Sequence, residues 1–334
     1  MRAVVTGAAG FIGSHLSQHL LDKGDEVLGI DCLTDYYDPR RKERNLAPLR
    51  NRPGFVECRL DLATAPLEML FEKADVIYHL AGQPGVRASW GEDFKPYLSR
   101  NILATQRVLE AARATKVYKV VYASSSSVYG DAESYPTTED MTPRPVSPYG
   151  MTKLAAEHLC EIYRTTSGVP TVSLRLFTVY GPRQRPDMAF TRLVEAALSG
   201  DPFLLYGDGT QSRDFTYVWD VVTAMRQAAL SPWTGVANIG GGSRTTMLEV
   251  IEKVQALAGP VHLVRLPSQR GDVKHTAADT TVARKGFGYH PRTSLDQGLA
   301  HMVDAARIGW EHEQPVPAEP PGPTPSSPAA EASR

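Results

Sequence analysis

The sequence predicts an α/β protein: a doubly wound parallel sheet with a smaller mixed α/β part after it. Three observations lead there. Short β-rich runs alternate with amphipathic stretches through the first 177 residues, which is the pattern of parallel strands joined by crossover helices. A glycine-rich turn links the first run to the first amphipathic stretch. After residue 178 the elements shorten and the loops between them become rich in Gly, Pro and Arg.

Residues 2–6 read as a buried strand. Phe11, Ile12, His15, Leu16, His19 and Leu20 then recur at helical spacing, and Gly24 marks the stop. Residues 26–30, 55–58 and 75–79 read as further strands, 94–114 as one long helix, and 119–123 as a strand ending in a serine run. Pro148 suits a first helical turn, with the helix reaching about residue 166, and 171–175 is another strand. More helices are expected near 188–198, 220–230, 247–257 and 295–308. The division expected is a dinucleotide-binding part over 1–177 and a substrate-side part over 178–310, with interleaved segments. A tail over 311–334 is too poor in large apolar residues to order itself.

The 334 residues carry a net charge of −1 and are 42% hydrophobic, enough for a sizeable core. So balanced a charge leaves no electrostatic footprint for nucleic acid or an anionic membrane surface. No apolar run approaches bilayer length, and the N-terminus enters a strand pattern rather than a signal peptide. Cys32, Cys58 and Cys160 have no metal-type spacing and cannot all pair; a reducing cytoplasm is the simple reading.

Thr6-Gly7-Ala8-Ala9-Gly10-Phe11-Ile12-Gly13 occupies the turn between the first strand and first helix. Gly7 permits a tight turn, Gly10 lets backbone approach a pyrophosphate, and Gly13 allows close helix–strand packing. Phe11 and Ile12 open a helix whose unpaired N–H groups face the phosphates. Asp31 ends the second strand, where its carboxylate can accept from ribose hydroxyls and would repel a 2′-phosphate. NAD is therefore the expected cofactor. Asp61, with Leu62 beside it, suits the adenine edge, and Leu80 and Ala81 suit the phosphates; each position also suits a cap or a turn.

Tyr149 and Lys153 stand four residues apart and share a helix face. A phenol with a pKa of about 10 is a poor base at neutral pH. A nearby ammonium and the positive nicotinamide ring favour the phenolate. Ser124-Ser125-Ser126-Ser127-Val128-Tyr129-Gly130 follows a strand, at the sheet edge where such folds bind ligands. A serine hydroxyl there can relay a substrate proton to Tyr149.

Taken together, Thr6–Gly13, Ser124–Gly130 and Tyr149–Lys153 resemble the extended short-chain dehydrogenase/reductases, a Rossmann-type NAD-dependent epimerase/dehydratase family. The resemblance reaches to about residue 310. It implies Tyr149 as base, Lys153 as its partner, Ser125 as the catalytic hydroxyl, and Asn101 as a support for the active-site backbone. Tyr206-Gly207-Asp208-Gly209 and Arg213-Asp214-Phe215-Thr216-Tyr217-Val218 resemble the sugar-nucleotide branch. There the resemblance implies Arg213 on the diphosphate and the tyrosine region, with Tyr206, on the uracil. Arg270-Gly271-Asp272-Val273 matches a further motif, implying Arg270 on the diphosphate and Asp272 near a ribose.

Finer matches point to UDP-glucuronate 4-epimerases: Asp35-Tyr36-Tyr37-Asp38, Gly85-Val86-Arg87, Phe177-Thr178-Val179-Tyr180-Gly181-Pro182 and Arg185-Pro186-Asp187-Met188. Thr178 stands where UDP-galactose epimerases usually carry Asn. With Ser125, Ser126 and Ser127 it is suited to a sugar carboxylate, and Arg87 or Arg185 to neutralising that carboxylate or a phosphate. Related decarboxylases and dehydratases commonly carry Glu at the Ser127 position, and dehydratases Asp at the Ser126 position; serine disfavours C5 proton removal. The competing readings are a UDP-glucose/galactose or UDP-N-acetylhexosamine 4-epimerase, a UDP-glucuronate decarboxylase, and a non-catalytic NAD-binding regulatory protein. The family resemblance also implies a homodimer through the helices near 94–114 and 148–166.

Overall fold

Val4 and Val5, neighbours in the first strand, belong to two different cores. Alternate residues of a strand point to opposite faces, so this one dipeptide reports a sheet covered on both sides. The computed structural model describes residues 1–268, 271 and 273–313. In chain order the elements of the first half are β1 (Arg2–Thr6), α1 (Phe11–Asp22), β2 (Glu26–Asp31), α2 (Pro39–Arg50), β3 (Phe55–Arg59), α3 (Leu67–Phe71) and β4 (Val76–His79). They continue with α4 (Lys95–Tyr97), α5 (Ala104–Thr115), β5 (Lys119–Ser125), α6 (Pro148–Ser167) and β6 (Thr171–Leu176).

Six of these strands and one later strand form a seven-stranded sheet, ordered β11-β6-β5-β4-β1-β2-β3, with β11 at Gly235–Ile239. Every pair in it is parallel. Helices on both faces explain why β4 and β6 are buried along their whole length. Ala3, Val5, Tyr78 and Val121 pack toward the α1 face, and Val4, Ile77, Val120 and Tyr122 toward α5 and α6. The strand order reverses between β1 and β4, and in open sheets ligands bind outside the carboxyl ends at such a reversal.

Beyond β6 come β7 (Val179–Tyr180), α7 (Ala189–Ser199), β8 (Phe203–Tyr206), β9 (Ser212–Asp214), β10 (Thr216–Tyr217) and α8 (Val218–Leu230). After β11 follow β12 (Arg244–Thr246), α9 (Met247–Ala258), β13 (Leu263–Leu266), α10 (Thr281–Phe287) and α11 (Leu295–Glu313). Three two-stranded sheets, β10-β7, β12-β9 and β13-β8, lie in this part, and α7, α9 and α11 pack on one another. Two of its elements return to the first layer: β11 pairs with β6, and α8 packs on α1. The last helix runs to Glu313, past the expected end near residue 308 and three residues into the stretch read as tail; the remainder of that tail lies outside the described residues.

The expected single helix over 94–114 is segmented. A short α4 leads into a π-helical turn over Leu98–Leu103 before α5 begins. Such wider turns are found at functional sites, and this one carries Asn101 inward, 1% exposed. Helix α2 was not legible because Pro-Arg-Arg-Lys-Glu-Arg hides its periodicity; only Lys42, Asn45, Leu46 and Leu49 are buried on it. Helices α3 and α10 are too short to show a period.

Candidate active site

The glycine turn is built as its sequence demands. Gly7 sits at φ +72°, a left-handed conformation that suits glycine. A Cβ on Gly13 would lie 2.0 Å from the Gly7 carbonyl oxygen, so only glycine lets α1 start this close to β1. Asp31 is fixed at the end of β2: Oδ2 accepts from Ala9 N at 3.1 Å and Oδ1 from Leu33 N at 2.8 Å. Asp61 Oδ1 accepts from Ala63 N at 2.8 Å, the turn role its position also allowed. Leu80 N and Ala81 N donate to Thr6 Oγ1, both at 3.1 Å.

A cavity of about 460 Å³ starts at this turn. Gly7, Gly10, Phe11, Ile12 and Gly13 line one end with Asp31, Asp61, Leu62, Leu80 and Ala81. Ser125, Ser126, Ser127, Tyr149 and Lys153 line it too, as do Thr178, Arg185 and Arg213. The residues present fit NAD. Backbone N–H groups at the α1 start can meet its pyrophosphate, Asp31 its adenosine ribose, and Lys153 its nicotinamide ribose. Lys42, missed in the sequence, also lines the cavity; its ammonium is held by the Thr34 carbonyl at 2.7 Å and hydroxyl at 2.9 Å. The charge-rich run around it on α2 gave no signal that this one cation turns inward.

Helix α6 delivers the reactive pair. Ser147 Oγ accepts from Gly150 N at 3.1 Å, and Pro148 occupies the first turn. Gly150 is there because a Cβ would stand 2.5 Å from the Ser127 carbonyl, so α6 abuts the serine run. Ser125 accepts from Ser127 N at 3.1 Å and is hydrogen-bonded to Tyr149. Burial raises the Tyr149 pKa, while the Arg185 guanidinium and the Ser125 hydrogen bond pull it down. Arg185, from beyond β7, thus adds a second cation to the one the sequence pointed to, Lys153, one turn along the same helix. Lys153 is itself buried, which lowers its pKa to about 8, and it donates to the Ala123 carbonyl at 2.9 Å.

Asn101 meets this machinery from the π turn. Its Oδ1 accepts from Gln83 N at 2.6 Å, and Nδ2 donates to Gln83 O at 3.1 Å and Thr152 Oγ1 at 2.9 Å. A Cβ on Gly82 would lie 2.8 Å from Asn101 Oδ1 and 3.6 Å from Lys153 Nζ.

On the substrate side, Arg213 donates to the carbonyls of Ser212 and Lys274, each at 3.0 Å, and to that of Val273. It therefore anchors the 273–274 segment where it borders the cavity. Arg87 does not reach the cavity lining: its guanidinium stacks over the Tyr206 ring, 4.2 Å from the centroid. Tyr206 also stays outside that lining. Arg270 and Asp272 lie outside the described residues. Two residues that the sequence placed in family motifs without a role of their own, Asp187 and Tyr36, bear on Arg185. Asp187 pairs with its guanidinium, and Tyr36 donates to Asp187 at 3.5 Å.

Among the described residues no cluster of His, Cys, Asp and Glu could hold a metal, and no helix is long and apolar enough to cross a membrane. A doubly wound sheet, a glycine turn ending at a fixed acid, and a tyrosine–lysine pair beside a serine define an NAD-dependent enzyme acting on an alcohol or ketone carbon. The profile of the NAD dependent epimerase/dehydratase family matches residues 3–240, and the chain belongs to that family.

Its relatives agree. An uncharacterized UDP-glucose epimerase, YtcB, of Bacillus subtilis is 44% identical over 91% of this chain and 97% of its own. A probable UDP-glucuronate 4-epimerase of Rhizobium meliloti is 37% identical over 91% and 96%. The crystal structure of UDP-glucuronic acid 4-epimerase from Bacillus cereus, in complex with UDP-glucuronic acid and NAD, superposes with a TM-score of 0.89. It is 43% identical and covers 92% of this chain and 99% of that one.

Proposed function

We propose that the protein interconverts UDP-glucuronate and UDP-galacturonate by inverting C4. The observation that carries this reading is that Thr178 and Arg185 line the same cavity as Ser125, Tyr149 and Lys153. A hydroxyl and a permanently charged guanidinium fork form a fitting partner for a sugar carboxylate. The UDP-glucuronate 4-epimerases among the relatives support it.

Bound NAD supplies the reversible two-electron acceptor for the C4 hydrogen. Tyr149, as phenolate, takes the proton of the C4 hydroxyl through the Ser125 hydrogen bond and later returns it. Lys153 holds the nicotinamide ribose, and Arg213 takes the diphosphate with Arg270. The 4-keto sugar then turns its opposite face inward while its diphosphate stays held.

A 4-keto hexuronate is a β-keto acid, which loses carbon dioxide when the breaking C–C bond aligns with the carbonyl π system. Holding the carboxylate near the ring plane, with Thr178, Arg185 and the serine run, opposes that alignment. Serine at 126 and 127 also leaves no carboxylate there to remove the C5 proton. The working form in this reading is a cytoplasmic homodimer. Three unpaired thiols support the compartment. Exposed Leu98, Leu103, Met151 and Ile162 on the 94–114 and 148–166 segments support the interface.

Thr178→Val and Arg185→Ala test the assignment. Each variant is expected to release a larger share of UDP-pentose from UDP-glucuronate, by severalfold. Product ratios equal to wild type in both variants would remove it.

A further inference from the structure

Two stretches of sequence 151 residues apart meet at one carboxylate. Arg185 to Met188 form a tight turn, closed by Met188 N donating to the Arg185 carbonyl at 3.1 Å, with Pro186 in the second position. The turn folds Asp187 back onto Arg185. Nε donates to Oδ1 and Nη2 to Oδ2, both at 3.0 Å. From the loop after β2, the Tyr36 hydroxyl donates to Asp187 Oδ2 at 3.5 Å. That hydroxyl is itself wedged: a Cβ on Gly85 would lie 2.3 Å from it.

A guanidinium has two bidentate edges, and Asp187 fills the Nε/Nη2 edge. The edge left for a ligand is Nη1/Nη2. We propose that Asp187 is the positioning residue of Arg185, with Tyr36 bracing it, so that Arg185 presents its Nη1/Nη2 edge to the sugar carboxylate and its charge to Tyr149. This deepens the hexuronate reading and rests on it for the identity of the carboxylate. The clamp also sets selectivity. Asp187 offsets the guanidinium charge, so a neutral hexose leaves Arg185 paired, while a hexuronate gains the open edge.

The groups facing Tyr149 are Arg185 from the turn, Tyr36 from the β2 loop, Tyr97 from α4, Tyr122 from β5, and Lys153 one turn along α6. Tyr97 presents its ring at 6.4 Å. Of these, Arg185 and Lys153 are the cations, and Asp187 acts on one of them.

The test uses the NAD-loaded enzyme with two substitutions. Asp187→Asn keeps the shape and one accepting oxygen but removes the charge. The undivided Arg185 charge then favours the phenolate, and the acid limb of the kcat/KM profile moves to lower pH. Asp187→Ala releases the fork: KM for UDP-glucuronate rises about tenfold, and the UDP-pentose share rises with it. Tyr36→Phe shifts KM in the same direction by less. An unmoved acid limb in Asp187→Asn overturns the proposal. So does Asp187→Ala with a wild-type pentose share, even at raised KM, since loose packing alone would do that. Should wild type leave UDP-glucuronate unturned, the hexuronate reading falls. The acid limb measured with whichever UDP-sugar reacts then still decides whether Asp187 governs Arg185.

Discussion

Asn101 Nδ2 lies 2.9 Å from Thr152 Oγ1, and that hydroxyl donates in turn to the Tyr149 carbonyl at 2.8 Å. A side chain on the π turn thus grips the first turn of α6 between the two reactive residues. Removing it leaves the buried Gln83 N–H without its acceptor and takes a donor from the Gln83 carbonyl and from the Thr152 hydroxyl.

Asn101→Ala is therefore expected to cost about 1–3 kcal/mol of stability and to lower kcat more than it raises KM. Urea unfolding alongside steady-state kinetics checks both. A variant with wild-type stability and kcat would show that the grip is dispensable.

Gly13→Ala drives a methyl group to 2.0 Å from the Gly7 carbonyl oxygen. Helix α1 must shift, at a cost of about 1–3 kcal/mol, and its N–H groups leave the pyrophosphate position. The expected outcome is protein that melts earlier and retains less NAD after gel filtration, read from absorbance of the released nucleotide. Full retention would mean that the turn is not the phosphate cradle.

His79 makes the fold acid-sensitive. Thr105 donates its one hydroxyl hydrogen to the Asn101 carbonyl at 2.6 Å and so accepts from His79 Nε2 at 2.9 Å. Thr6 accepts from two amides and donates to Nδ1 at 2.8 Å. The neutral ring is satisfied on both sides, and burial lowers its pKa to about 3, as it does for His15. Between pH 6.5 and about 3 the unfolded chain binds protons that the native chain refuses. Stability is full above that window and falls as pH falls through it, by up to about 1.4 kcal/mol per pH unit for each histidine. Urea midpoints measured from pH 7 to pH 5 should decline, and His79→Asn should flatten the decline. An identical slope in the variant would refute this role.

Much of the sheet was legible because strands buried on both faces read as short apolar runs: β1 was read with the bounds it has, and β2 to β6 within a residue or two. The glycine turn was legible because its spacing and its acid are local. The same holds for Tyr149 and Lys153 on one helix. Contacts made across the fold were not. Nothing in the Arg185 to Met188 run announces Tyr36 as a neighbour, and nothing around Lys42 marks it as the cation of α2 that turns inward. The π turn was missed because Asn101 sits in a stretch whose apolar residues follow ordinary helical spacing.

The most direct measurement is NMR of the product formed when the NAD-loaded protein meets UDP-glucuronate, with Tyr149→Phe beside it. Inversion of C4 through Tyr149 predicts a mixture of UDP-glucuronate and UDP-galacturonate, little UDP-pentose, and a rate in the variant lower by about 10²–10⁴ with NAD still bound. Wild-type protein that leaves C4 unchanged, or a Tyr149→Phe variant that inverts it at the wild-type rate, would contradict it.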